Sequence, residues 1–159
     1  MNEKTFHLAI RFSDNLFSIG DVVVKHNEVF YQKGYVWFGK MGQTISQTRM
    51  DLLNRQIAQS IPTFVYLVKG NRKKSTFYRA DLIAITKELP IGEEVAIPSY
   101  YQNNNLLQYM KTWVRISEIV AIEISVISHL QAIGSVFPLQ ETLIRSSSGY
   151  FLVREAKNI

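Results

Sequence analysis

The run Phe64-Val65-Tyr66-Leu67-Val68, the polar stretch Lys69-Gly70-Asn71-Arg72-Lys73-Lys74 and the second run Thr76 to Ile85 together decide the fold. Both outer runs are rich in β-branched and aromatic residues and read as strands, and the polar stretch between them reads as a hairpin turn. Two strands joined so closely pair antiparallel. The rest of the chain shows no regular strand and helix alternation of the kind a doubly wound parallel sheet demands.

Upstream, Phe6, Leu8, Ile10 and Phe12 alternate with Thr5, His7, Ala9 and Arg11, the period of a strand with one buried face. Residues 19–33 mix Val22, Val23 and Val24 with charges and fit either a helix or a strand. Tyr35 to Phe38, bounded by Gly34 and Gly39, reads as a strand that ends at Trp37 and Phe38. Thr44 and Gln47 stand at capping-box spacing, and Met50, Leu53 and Ile57 then recur at helical intervals until Pro62.

Downstream, residues 86–111 hold Pro90, Gly92, Pro98 and Asn103-Asn104-Asn105 and read as a long connection, a length that usually carries function. Thr112 to Ile124 is the longest strand-like run. Ile127 to Ile133 fits one helical turn or more, and Thr142 to Arg145 with Tyr150 to Arg154 fit a closing hairpin across residues 146–149. The expected architecture is an α+β domain spanning residues 1–159, with a curved, mostly antiparallel sheet forming a partial β-barrel and helices packed against it.

The 159 residues suffice for a real core, and 47% hydrophobic residues place the chain outside the disordered class. The absence of cysteine excludes disulfides, thiolate metal sites and cysteine nucleophiles. The opening Met1-Asn2-Glu3-Lys4 lacks the pattern of a signal peptide and no apolar run is long enough to span a bilayer, so a cytoplasmic location is expected. A net charge of +5 favours a polyanionic partner, although a solvated basic surface gives the same value.

Gly34 to Lys40 imitates the spacing of a phosphate-binding loop and fails on chemistry. Met41 stands where a Ser or Thr must hold magnesium, and the four residues between the glycines are bulky strand formers. His7, His26 and His129 have no metal-ligand spacing and read as solvent-exposed or singly hydrogen-bonded. No Gly-x-Ser-x-Gly elbow is present, and Glu93 and Glu94 would point to opposite sides of an extended segment. No catalytic residue, metal or cofactor is implied.

Aromatic residues are the informative class. Trp37 lies beside Gly39, Tyr100 and Tyr101 follow Pro98 in the long connection, and Trp113 opens the next strand. Such rings can sandwich a flat base, and each also has a plain alternative as a semi-buried core residue. The cluster from Lys69 to Lys74 is either a phosphate contact or a solvated hairpin tip.

The order of these segments resembles the PUA-like superfamily and, within it, the EVE and YTH-like domains. Gly34-Tyr35-Val36-Trp37 before a helix looks like the segment supplying the first cage tryptophan of YTH domains. The 64–80 hairpin resembles the central hairpin of EVE domains, and Ile97-Pro98-Ser99-Tyr100-Tyr101 would lie in the loop adding further cage residues. Lys111 to Ile116 is similar to the strand closing that barrel, and Ser128-His129-Leu130 with Gln140-Glu141 resembles its C-terminal stretch. Gln43 and Asn54 are the candidate counterparts of the YTH asparagine.

The resemblance implies recognition of a modified base, flipped out or unpaired, with DNA favoured over RNA. Trp37, Tyr100, Tyr101 and Trp113 would form the ring pocket, and Gln43 or Ser99 would hydrogen-bond the base. Lys69, Arg72, Lys73, Lys74 and Arg79 would hold phosphate. The chain would then be the specificity module of a restriction or other defence system, with a nuclease or NTPase partner doing the cutting. A peptide-binding module and a small enzyme built from scattered residues are the alternatives.

Overall fold

The structure is a computed structural model that describes residues 5–14, 21–70 and 75–156. Its eight strands are β1 (Phe6–Phe12), β2 (Val36–Met41), β3 (Phe64–Gly70), β4 (Ser75–Thr86), β5 (Met110–Ile116), β6 (Val120–Ile122), β7 (Leu130–Ala132) and β8 (Tyr150–Glu155). Five helices accompany them: α1 (Val22–Lys33), α2 (Gln47–Ala58), α3 (Tyr100–Asn103), α4 (Ile124–Ile127) and α5 (Leu139–Arg145). The strands form one sheet ordered β2-β5-β4-β3-β1-β8-β7, with β6 on β4. All pairings are antiparallel except β1 with β3. β2 and β7 do not meet, so the sheet curves without closing.

The hairpin read at 64–85 is the spine. β3 and β4 run in register from Phe64 opposite Asp81 to Gly70 opposite Ser75. β4 then changes partner: its first half pairs β6, and from Leu82 onward, across a register shift between Leu82 and Ala84, its second half pairs β5. Such a shift bends a strand and sharpens its twist, which lets one long strand serve both halves of a curved sheet. The same bend divides the run expected at 112–124 in two. Ser117 leaves the ladder, its Oγ accepting the Asp81 N–H at 2.8 Å, before β6 begins.

The segment left open resolves as a helix, and several other local expectations are corrected. Residues 22–33 are helical because Asp21 caps them, accepting the Val24 N–H, and Gly34 ends them with φ 82. The cap of α2 is Ser46, whose Oγ accepts the Arg49 N–H at 3.3 Å, so the box read from Thr44 does not form. The stretch 86–111 carries α3 and two 3-10 turns at 93–96 and 107–109. Thr142 to Arg145 belongs to α5, so the closing hairpin is replaced by a helix leading into β8, which pairs with β1 and β7. Leu139 and Leu143, four residues apart, are buried together there, the spacing of one helix face.

The core has three parts. On one side of the sheet, Leu8, Ile10, Val65 and Leu67 pack with Val22 of α1 and with Met50 and Leu53 of α2. On the other, Ala9, Tyr66, Val68 and Val153 pack with Ile127, Leu139 and Leu143. β1 is therefore covered on both faces, and the expectation of one exposed face is corrected: His7 and Ala9 are as buried as Leu8. The third part gathers Trp37, Trp113, Tyr100, Tyr101, Ile97 and Leu106 beside β2 and β5.

Candidate functional site

β2 is an edge strand, and the chain from 97 to 106 folds along it. Gly39 must be glycine for reasons of space: a Cβ there would stand 2.8 Å from Met110 Cγ and 3.0 Å from the Trp113 ring. Its N–H donates to the Tyr101 hydroxyl at 3.0 Å. That hydroxyl also meets His26 Nε2 at 3.0 Å, while His26 Nδ1 stands 2.7 Å from the Val22 carbonyl. A carbonyl only accepts, so Nδ1 carries the proton and Nε2 accepts the Tyr101 O–H. Burial pushes the His26 pKa down to about 4, against the opposing pull of the Val22 carbonyl, and the ring stays neutral at ordinary pH. Burial also pushes Tyr101 up to about 12.

These fixed groups back a cavity of about 190 Å3 lined by Phe12, Phe38, Lys40, Tyr100, Tyr101 and Met110. Tyr100 and Tyr101 stack at 4.4 Å with planes 21° apart, and His26 packs on Phe38 at 4.7 Å. An apolar cavity of about 150 Å3 accepts a benzene ring, so this one has room for a single aromatic heterocycle. Arg11 reaches across one end, donating to the carbonyls of Leu143, Ser146 and Ser148. Lys40 is 6% exposed, and its Nζ donates to the carbonyls of Met41 at 3.0 Å and Gln43 at 2.6 Å.

The rings expected to form a pocket are brought together, but not as exposed rings. Trp37 is 3% exposed, Trp113 2%, Tyr101 1% and Tyr100 9%. Tyr100 and Tyr101 line the cavity, whereas the two tryptophans lie in the packed cluster with them, Trp113 against Tyr101 at 5.2 Å. The Trp37 Nε1 is buried with no hydrogen-bond partner among the described residues. Gln43 is exposed, and its side chain accepts from the Ser148 hydroxyl at 3.2 Å. Ser99 lines a separate hollow against α1. Asn54 holds the Ile85 backbone through both side-chain atoms, far along the chain from the cavity wall.

The two expected phosphate contacts among the described residues, Lys69 and Arg79, stand on opposite faces of the sheet. Lys69 pairs with Asp14 at 2.9 Å. Arg79 lies over the Phe64 ring at 4.6 Å, directly across the ladder from Tyr66 on the sheet face away from Ile10 and Phe12. Arg72, Lys73 and Lys74 lie outside the described residues. Of the two readings given for the histidines, His129 is exposed, His7 is buried and fits the hydrogen-bonded alternative through the Phe64 N–H, and His26 goes beyond it, buried with both ring nitrogens engaged.

Sequence reasoning passed over Phe12, Phe38, His26 and Lys40. For Lys40 the signal was its place two residues after Phe38 and four after Val36, on the inward face of a strand. Among the described residues no group of three His, Cys, Asp or Glu is placed to hold a metal ion, and no helix is long and apolar enough to cross a membrane.

Set against known proteins, residues 8–150 match a family model described as Pua-like. No curated protein and no solved structure matches the chain.

Proposed function

This chain belongs to the Pua-like family, whose domains generally bind nucleic acids, and from that premise we propose that it reads a modified base in the cavity beside Tyr100. The observation that carries the reading is the cavity itself: sized for one heterocycle, walled by Phe12, Phe38, Tyr100 and Tyr101, and provided with polar groups at Lys40. Tyr100 offers a ring face for stacking. Trp37 and Trp113 act from behind, holding the tyrosine pair in place, and the His26 to Tyr101 to Gly39 chain of hydrogen bonds fixes its orientation. Gln43 sits close to the Lys40 end and Ser99 beside Tyr100, where each reaches the flanking nucleotide more readily than the base.

Lys69, Arg72, Lys73, Lys74 and Arg79 are proposed as contacts along the phosphate backbone. DNA is favoured over RNA, with a nuclease or NTPase partner and a role in restriction or defence. That part of the proposal is supported by the likeness of the 34–37, 64–80 and 97–101 segments to EVE and YTH-like domains.

The test compares oligonucleotides that differ only in one modified base. Tyr100→Ala should weaken binding to the modified strand by about 5- to 150-fold, the worth of one stacked base, and leave the plain strand little changed. Charge reversal at Lys73 and Lys74 should weaken both alike and flatten the salt dependence. Equal loss for both strands in the Tyr100 variant refutes the base pocket. Salt-insensitive binding to peptides, with no oligonucleotide bound, would replace it with an interaction module.

A further inference from the structure

We infer that Lys40 reads the edge of the bound base and selects a ring presenting a carbonyl oxygen there over one presenting an amine; the inference rests on the base-binding reading above. An ammonium has three protons, and two of those on Lys40 go to the Met41 and Gln43 carbonyls. The third has no partner among the described residues. No carboxylate offsets the charge either, since the ion pairs among the described residues are Lys69 with Asp14 and Arg145 with Glu141. The Tyr150 ring, 5.4 Å from Nζ, and the two carbonyls offset part of the cost of burial. What remains is a nearly buried cation at the wall of an aromatic cavity with one donor unused.

The neighbouring polar groups are engaged elsewhere. The Tyr101 hydroxyl gives its proton to His26 and accepts from Gly39, and Arg11 is held by three carbonyls. Gly149 supplies a second, independent observation. It lines the same cavity, and a Cβ built on it would stand 3.5 Å from Lys40 Nζ and 3.8 Å from Cε. Glycine at 149 therefore leaves open the space beside the ammonium that a side chain would fill. The ligand suited to that space offers a lone pair on oxygen, as thymine-, uracil- and guanine-type edges do. An exocyclic amine would set a donor against a donor and leave the charge unmatched.

The experiment uses single-stranded oligonucleotides carrying one central 5-hydroxymethyluracil or 8-oxoguanine, against matched strands with 5-methylcytosine or N6-methyladenine and against unmodified strands. Wild type should bind the carbonyl-edged pair more tightly. Lys40→Met should lose about ten- to hundredfold on that pair, the worth of one charge-assisted hydrogen bond, and change little on the amine-edged pair. Gly149→Ala, with the lysine intact, should lose severalfold on the carbonyl-edged pair alone, and it decides the matter if the Lys40 variant does not fold. A wild-type preference for the amine-edged pair, or equal loss on both pairs, overturns the inference, as does inorganic phosphate displacing the strands from wild type but not from Lys40→Met. If wild type shows no preference for any modified strand, the base pocket itself fails; if it shows one that both variants leave intact, only the role of Lys40 fails.

Discussion

Acidification below about pH 6.5 should strip stability from this fold through two buried histidines. His26 is fully buried and His7 nearly so, and burial pushes each pKa down to about 4, aided at His7 by the charge of Arg79. His7 Nδ1 accepts the Phe64 N–H at 3.1 Å, and His26 Nε2 accepts the Tyr101 hydroxyl, so a proton on either ring breaks a hydrogen bond as well as burying a charge. In the unfolded chain both titrate near 6.5. Above that value neither state binds the proton and the full stability is present. Between about 6.5 and 4 the unfolded chain binds protons that the native protein refuses, so stability falls as pH falls; below about 4 these groups add no further loss. Each histidine then contributes about 2.5 kcal/mol of loss between pH 7.5 and 4.5, together about 5 kcal/mol, which approaches the whole stability of many domains. Urea denaturation followed by the fluorescence of Trp37 and Trp113 at several pH values measures this directly. His7→Gln should roughly halve the dependence. A stability that changes by less than about 1 kcal/mol over that range would refute the assignment of both rings as buried and neutral.

Gly39→Ala should cost about 1–3 kcal/mol, because the new Cβ must displace Met110 or the Trp113 ring, and it should also narrow the cavity that Met110 lines. An unchanged melting temperature would show that the edge of β2 has more room than its contacts indicate. Gln56→Leu removes an amide whose Oε1 accepts the Phe6 N–H at 2.9 Å and whose Nε2 donates to the Phe6 carbonyl and to Thr63 Oγ1. The orphaned backbone at the start of β1 should cost about 2–4 kcal/mol, a fall of about 6–12 °C in Tm for a domain of this size, and a fall below about 2 °C would mean that water replaces the clamp.

How much of this was legible follows from which interactions are local. The 64–85 hairpin and the stop of α2 before Pro62 could be read because neighbouring residues decide them. α1 could not be read from periodicity, since Val22, Val23 and Val24 obscure it, yet Asp21 and Gly34 bracket it as a cap and a C-terminal stop do. The double burial of β1 was out of reach: nothing local says that α4, α5 and β7 will cover the side carrying His7 and Ala9. Likewise the break after Ile116 depends on where β4 bends, a property of the pairing and not of residues 112–124.

The site divides along the same line. Its rings were visible as a class and a core place was open for each, but the burial of Tyr100 and Tyr101 could not be read, because the segment that folds along β2 leaves no periodic trace. Lys40 was passed over for an instructive reason. Rejecting the phosphate-loop spacing was correct, since Val36 to Met41 form a strand, but a strand makes that lysine more informative. Side chains two apart share a face, so Val36, Phe38 and Lys40 point the same way, and Val36 and Phe38 belong to the core. A cation in the third place on a buried face must find carbonyls, a carboxylate or a ligand. His26, four residues after Val22 on the buried side of α1, obeys the same rule and resolves it internally through Tyr101. Among the described residues Lys40 resolves two of its three protons. Once the secondary structure is assigned, the polar residue that breaks an inward pattern and is left partly unsatisfied is the one that points to what the fold has been shaped to hold.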